Sequence, residues 1–131
     1  MKSIRILIVD DLPQVRQGLA SVLQLASRST IPSVEVIGEA QNGIEAIEKA
    51  QSLHPDVVLM DLEMPGLDGW AATRSLKLTN PSIFIVALTI HGDQASRQRA
   101  NQVGVDAFIE KGSPLVELIQ AIQRPRRSTN L

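Results

Sequence analysis

Five side chains in this 131-residue sequence could act together if folding brought them to one place: Asp10, Asp11, Asp61, Thr89 and Lys111. Each stands at the end of a short apolar run. "IRILIV" ends at Asp10-Asp11, "DVVLM" at Asp61 and "IFIVAL" at Thr89, while "AFIE" leads into Lys111. Taken singly, each has an ordinary explanation: Asp after a strand is a common turn former or helix cap, Thr is a strand former, and Lys is normally solvated. Taken together, they describe a site. Three carboxylates held close repel one another, and the usual remedy is a hard cation with oxygen ligands. Mg2+ suits, because it binds through few carboxylates, keeps water and is completed by phosphate oxygens. With an ammonium and a hydroxyl nearby, the set fits phosphoryl chemistry with an Asp nucleophile, the metal and Lys offsetting charge as the P–O bond forms.

For that to happen, the apolar runs must lie side by side with their ends along one edge. Residues 4–9, 34–39, 56–60, 83–88 and 107–110 are short and apolar or β-branched, as strands covered on both faces are. Helical patterns alternate with them. Val15, Leu19, Val22, Leu23 and Ala26 form one stripe, with Pro13 in the first turn. Ile44, Ala46, Ile47 and Ala50 mark a second helix after "QNG". Trp70, Ala71, Arg74 and Leu76 mark a third that ends before Asn80-Pro81, with Trp70 expected as partly buried packing. The fourth, Asp93 to Val103, has few large apolar residues and should lie loosely on the surface. Ser113 can cap the fifth, Pro114 suits its first position, and Leu115, Leu118, Ile119 and Ile122 give its spacing. Five strands alternating with five helices predict a parallel sheet covered on both faces, whose functional groups gather at the strand ends.

Bulk properties agree and exclude alternatives. Hydrophobic residues are 44% of the chain but aromatics only 2%, so the core must be built from Val, Ile, Leu and Ala. There is no cysteine, which removes disulfides, thiolate metal sites and cysteine nucleophiles. No apolar segment suits a signal peptide or a membrane span, so the expected location is cytoplasmic, with no membrane partner. Thirteen basic residues face fourteen acidic ones. Three of the arginines, Arg124, Arg126 and Arg127, lie beyond residue 123, which leaves the body at −4. Such a body is a poor nucleic-acid binder on its own. The expected organisation is one domain over 1–123 and a linker or disordered tail over 124–131.

The motifs "ILIVDD", "GEAQNGIEAI", "PDVVLMDLEMPGLDG", "ALT" and "FIEKGSP" resemble, in order and spacing, the receiver domain of two-component response regulators, most closely the NarL/LuxR class. That resemblance implies a flavodoxin-like (CheY-like) doubly wound α/β fold with strand order 2-1-3-4-5. It implies Asp61 as phosphoacceptor, Asp11 as a direct Mg2+ ligand, Asp10 as its water-mediated partner, and the main-chain carbonyl of Glu63 as completing the metal shell. It implies Thr89 as the switch hydroxyl, Phe108 as the aromatic that reorients with it, and Lys111 as the ammonium paired with acceptor or phosphate. The implied partners are a sensor histidine kinase or phosphotransfer protein, a second copy in a homodimer, and DNA only through an effector domain outside this chain.

Some positions depart from the pattern. Receivers commonly carry Pro directly after the Lys, in a cis bond; here Gly112 follows Lys111 and Pro comes only at 114. Without proline a cis bond costs several kcal/mol, roughly 3–4, and that feature is not carried over. Ile90 is large where the residue after the switch Thr is usually small, and either packs outward or narrows access to Asp61. Glu63 and His91 stand where receivers vary phosphate lifetime, and are either modulators or rim residues. "PG" at 65–66 is expected to turn the chain away and keep the site open. Two other functions stay open: a Mg2+-dependent phosphatase or phosphotransferase with an Asp nucleophile, and a non-phosphorylated pseudo-receiver that only binds partners. The D-x-D pattern and cap that such enzymes carry are missing here, and the retained acids, Thr89 and Lys111 speak against the pseudo-receiver.

Overall fold

The computed structural model describes residues 3–28, 33–64 and 68–128. Its strands are β1 (Ile4–Val9), β2 (Val34–Ala40), β3 (Val57–Asp61), β4 (Phe84–Thr89) and β5 (Ala107–Glu110). All pair in parallel, in the order β2-β1-β3-β4-β5. The helices are α1 (Pro13–Ala26), α2 (Gly43–Leu53), α3 (Gly69–Thr79), α4 (Gln94–Val103) and α5 (Leu115–Ser128). The fold is therefore the α/β doubly wound, CheY-like one. The chain leaves β1 for β2 on one side and returns through β3 on the other, so a crevice opens at the carboxyl ends of β1 and β3.

The central strands β1, β3 and β4 form because both of their faces are covered, while the edge strands β2 and β5 are only partly buried. Side chains alternate between two apolar clusters. Ile6, Ile8, Leu59, Val86 and Leu88 pack with Leu23, Leu118 and Ile122 on the α1/α5 face. Leu7, Val9, Val58, Met60 and Ile85 pack with Ala46, Ala50, Ala72 and Leu76 on the α2/α3 face. Small alanines let α2 and α3 lie close to the sheet, which explains how so aromatic-poor a chain fills its core. Asn42, Asp68 and Asp93 cap α2, α3 and α4 by accepting from Glu45, Ala71 and Ser96 N–H groups. Among the described residues no helix is long and apolar enough to cross a membrane.

Some expectations need correction. Val15 and Val22 belong to the α1 stripe by spacing but are exposed. At 100° per residue the buried arc lies between Leu23 and Ala20, which puts both valines on its far flank. Ile44 is exposed for the same reason, opposite the Ala46–Ala50 face of α2. The expected tail is also shorter at its start: α5 continues through Arg124 to Ser128, and only 129–131 lie outside the described residues. Pro125, which has no N–H, forfeits one intrahelical bond, a small loss near the end of a helix. Helix α5 starts at Leu115, with Pro114 just before it, so its first turn is set one residue later than a Ser113 cap would give. The "PG" turn at 65–66 lies outside the described residues.

One backbone contact fixes the site's floor. Gly69, the first residue of α3, sits against the end of β3 so closely that a Cβ there would lie 2.1 Å from the Asp61 carbonyl oxygen and 2.8 Å from Leu62 Cα. Neither atom belongs to a flexible side chain, so the strand end would have to move. Gly69→Ala should therefore destabilise the domain by roughly 1–3 kcal/mol. Gly18→Ala, at an exposed position inside α1 with nothing within 4 Å of the new methyl, should stabilise it by about 0.5–1 kcal/mol. Urea unfolding of both variants checks the contrast.

Candidate functional site

The carboxyl edge of the sheet collects the residues singled out by type and spacing. Asp10 follows β1, its N–H continuing the ladder to the Ala40 carbonyl at 3.0 Å. Asp61 is the last residue of β3 and Thr89 the last of β4. Asp10, Asp11 and Asp61 each offer a carboxylate oxygen within 4.8 Å of the others. Asp10 and Asp61 are each only 1% exposed, whereas Asp11 is half-buried.

Donors around the acids are few and specific. Asp61 Oδ1 accepts the Glu63 N–H at 2.9 Å and Lys111 Nζ at 3.1 Å. Lys111 reaches it because its own N–H binds the Thr89 carbonyl at 2.7 Å, extending the β4·β5 pairing, before Gly112 turns the chain at φ +92°. Asp10 Oδ1 accepts the Leu12 N–H at 2.9 Å, but its Oδ2 is buried with no hydrogen-bond partner. Burial pushes the Asp61 carboxyl up to about 6, with Asp10 adding to the push and the Glu63 N–H and Lys111 opposing it. A partnerless buried oxygen, a three-carboxylate cluster and a raised acid are each relieved by a hard cation. The donor set, all oxygen, fits Mg2+ held by Asp10, Asp11 and Asp61.

The remaining expected residues take different positions. Thr89 is wholly buried, yet its hydroxyl donates to Glu63 Oε2 at 2.6 Å and accepts the His91 N–H at 3.0 Å. Ile90 is 64% exposed, so its side chain stands at the rim, while its N–H donates to Glu63 Oε1 at 2.8 Å. The His91 side chain is exposed. Phe108, on β5, is half-buried against the α2/α3 cluster, with the Arg97 guanidinium 4.7 Å from its ring centroid. Trp70 is partly buried as expected, but also carries Arg99 at 4.3 Å. Two features escaped the sequence reading: the paired bonds of the Glu63 side chain, and Arg97. For the first the only signal was an acid two residues after Asp61.

Comparison with known proteins agrees with the fold. Residues 6–123 match the response regulator receiver domain family. The chain is 41% identical over 120 residues to the response regulator GacA of Pseudomonas viridiflava, a match covering 92% of this chain and 54% of that protein. It thus spans about half the length of the curated relatives it matches. Among solved structures it is similar to a two-component response regulator of the LuxR family from Aurantimonas sp. SI85-9A1, with TM-score 0.84, 32% identity, and coverage of 94% of this chain and 84% of that one. It is also similar to the chemotaxis protein CheY4 of Vibrio cholerae, with TM-score 0.82, 27% identity, and coverage of 94% and 98%.

The raised Asp61 carboxyl has a consequence for stability. Between the unfolded value of 3.8 and about 6, the folded chain keeps a proton that the unfolded chain has released. Stability from this group is therefore full below pH 4 and lost as pH rises through 6. In chelator-treated protein, Asp61→Asn should be more stable than the wild type at pH 7–8 by roughly 1–3 kcal/mol, with the advantage gone near pH 4. Added Mg2+ should stabilise the wild type more than the variant. Urea titrations across this pH range, with and without Mg2+, check both.

Proposed function

The chain belongs to the response regulator receiver domain family, and we propose that it is the phosphorylation-dependent switch of a two-component system, accepting a phosphoryl group on Asp61. The donor is a sensor histidine kinase or a phosphotransfer protein. The observation that carries this reading is the buried Asp61 carboxylate, flanked by Asp10 and Asp11 and bound by Lys111.

The arrangement suits attack by one oxygen. Both donors to Asp61 converge on Oδ1, and among the described residues none binds Oδ2. Oδ1 is thus held while Oδ2 can reach a phosphorus atom, the P–O bond forming as the P–N bond to the donor imidazole breaks. Burial makes the carboxylate more basic, and so a better nucleophile, while a value near 6 leaves it mostly ionised at neutral pH. Lys111 offsets charge arriving with the phosphoryl group. Mg2+ held by Asp10, Asp11, Asp61 and the main-chain carbonyl of Glu63 would supply further charge neutralisation. The domain catalyses only its own phosphorylation and dephosphorylation.

Phosphorylation adds charge and acceptor oxygens beside Thr89, which moves toward them, with Phe108 turning inward. The change is read on the face formed by α4, β5 and α5. Relatives of about twice the length support an effector domain outside this chain, through which DNA would be bound and transcription regulated; a homodimer formed by the same change would suit paired DNA sites. The reading places the domain in the cytoplasm.

Labelling with a small phosphodonor such as phosphoramidate in Mg2+ tests the proposal. Incorporation should approach one phosphoryl group per chain, be abolished in Asp61→Ala and fall with chelator. Multiple turnover of a simple phosphate ester would favour a phosphatase instead, and Mg2+ binding without labelling would favour a pseudo-receiver.

A further inference from the structure

The Glu63 carboxylate makes contacts that neither metal binding nor nucleophilic attack requires. Its Oε2 accepts the Thr89 hydroxyl at 2.6 Å and its Oε1 accepts the Ile90 N–H at 2.8 Å. The one proton of the Thr89 hydroxyl is thereby committed to Glu63, while its oxygen also accepts the His91 N–H at 3.0 Å. One carboxylate thus spans two donors at the end of β4, next to β3, where Asp61 is paired with Leu88. Two consecutive donors turned toward one anion form a small oxyanion cradle, and both bonds are charge-assisted.

A phosphoryl group on Asp61 would bring three strong acceptor oxygens to the same edge. The donors already serving Asp61 are the Glu63 N–H and Lys111. The next along the edge are the Thr89 hydroxyl and the Ile90 N–H, and both are engaged by Glu63. Accepting on the proposed reading of Asp61, we infer that the Glu63 side chain is an internal anion occupying the donor cradle that the phosphoryl group uses. Phosphorylation is then an exchange of anions: Thr89 and Ile90 leave the carboxylate, and Glu63, only half-buried, swings into solvent. Glu63 is a positioning residue that holds the unphosphorylated arrangement and slows entry into the other.

Substitution separates this from plain charge repulsion. Gln keeps one acceptor oxygen for the Ile90 N–H and can turn its amide toward the Thr89 oxygen; Ala keeps neither bond. Single-turnover labelling with phosphoramidate in Mg2+ should be faster in Glu63→Ala by about tenfold, the equivalent of one charge-assisted hydrogen bond, with Glu63→Gln in between. In metal-free, unlabelled protein, hydrogen exchange at the Ile90 amide should rise in Glu63→Ala, while the Leu59 amide, central in β3, keeps its protection and reports an intact fold. Equal labelling rates in wild type and both variants, or an Ile90 amide no less protected in Glu63→Ala, would overturn the latch while leaving Asp61 as acceptor. Labelling absent from all three proteins would overturn the acceptor reading and the latch with it.

Discussion

The site rests on like charges being held together where there is little water. Asp10 and Asp61 are almost wholly buried, with Asp11 beside them, and their ligand atoms are close enough to share one ion. Such an arrangement is costly by itself, since desolvation and repulsion both penalise the charged forms. The sheet can hold it because the acids sit at the ends of strands that are apolar apart from Arg5 near the start of β1. The backbone of β1 and β3 is locked by pairing on both sides, so the carboxylates cannot relax apart without breaking the core. Mutual repulsion is thereby kept as affinity for whatever positive or electrophilic group enters.

Backbone contacts set the precision of this edge. Gly69 allows α3 to start directly against the Asp61 carbonyl, a distance no side chain would tolerate. On the other flank, the Lys111 N–H bonds to the Thr89 carbonyl and aims the ammonium at Asp61. Asp61 is fixed from α3 on one side and β5 on the other, while Glu63 meets Thr89 through side chains alone. This division suits a switch, which needs a rigid reacting group and neighbours with two stable positions.

Elements whose signal is local were legible in the sequence. Each strand lies within a residue or so of its apolar run, most sharply in β1, β3 and β4 where both faces are buried, and the acids at the ends of those runs meet because a parallel sheet sends every carboxyl end to one edge. What depends on relative rotation or on partners distant in sequence was not legible. Val15, Val22 and Ile44 fit a stripe, but spacing does not say where the arc facing the sheet is centred. The bonds of Glu63 span 26 and 27 positions and exist only because β3 and β4 are neighbours and one half-exposed side chain takes one rotamer. The end of α5 was misplaced because Pro125 and an aperiodic basic run read as a break, whereas a helix near its terminus loses only one bond to proline.

The same physics explains how a local exchange of partners at Thr89 could reach the surface. From Thr89 the chain runs through Ile90 and His91 to Gly92, whose carbonyl accepts Arg97 Nε at 3.1 Å. Arg97 in turn lies over Phe108 and reaches Glu110 at 3.4 Å, tying α4 to β5. Those ties are weak. The Arg97–Glu110 pair is half exposed and contributes roughly 0–1 kcal/mol, the cation–π contact adds about 0.5–1 kcal/mol, and Ala100 is the one residue α4 fully buries among those described. A charge-assisted hydrogen bond at Thr89 is worth about 1.5–3 kcal/mol, as much as these side-chain ties combined. If that hydroxyl were redirected from one anion to another, α4 is the neighbouring element held least firmly, whereas α2 and α3 are anchored by apolar packing.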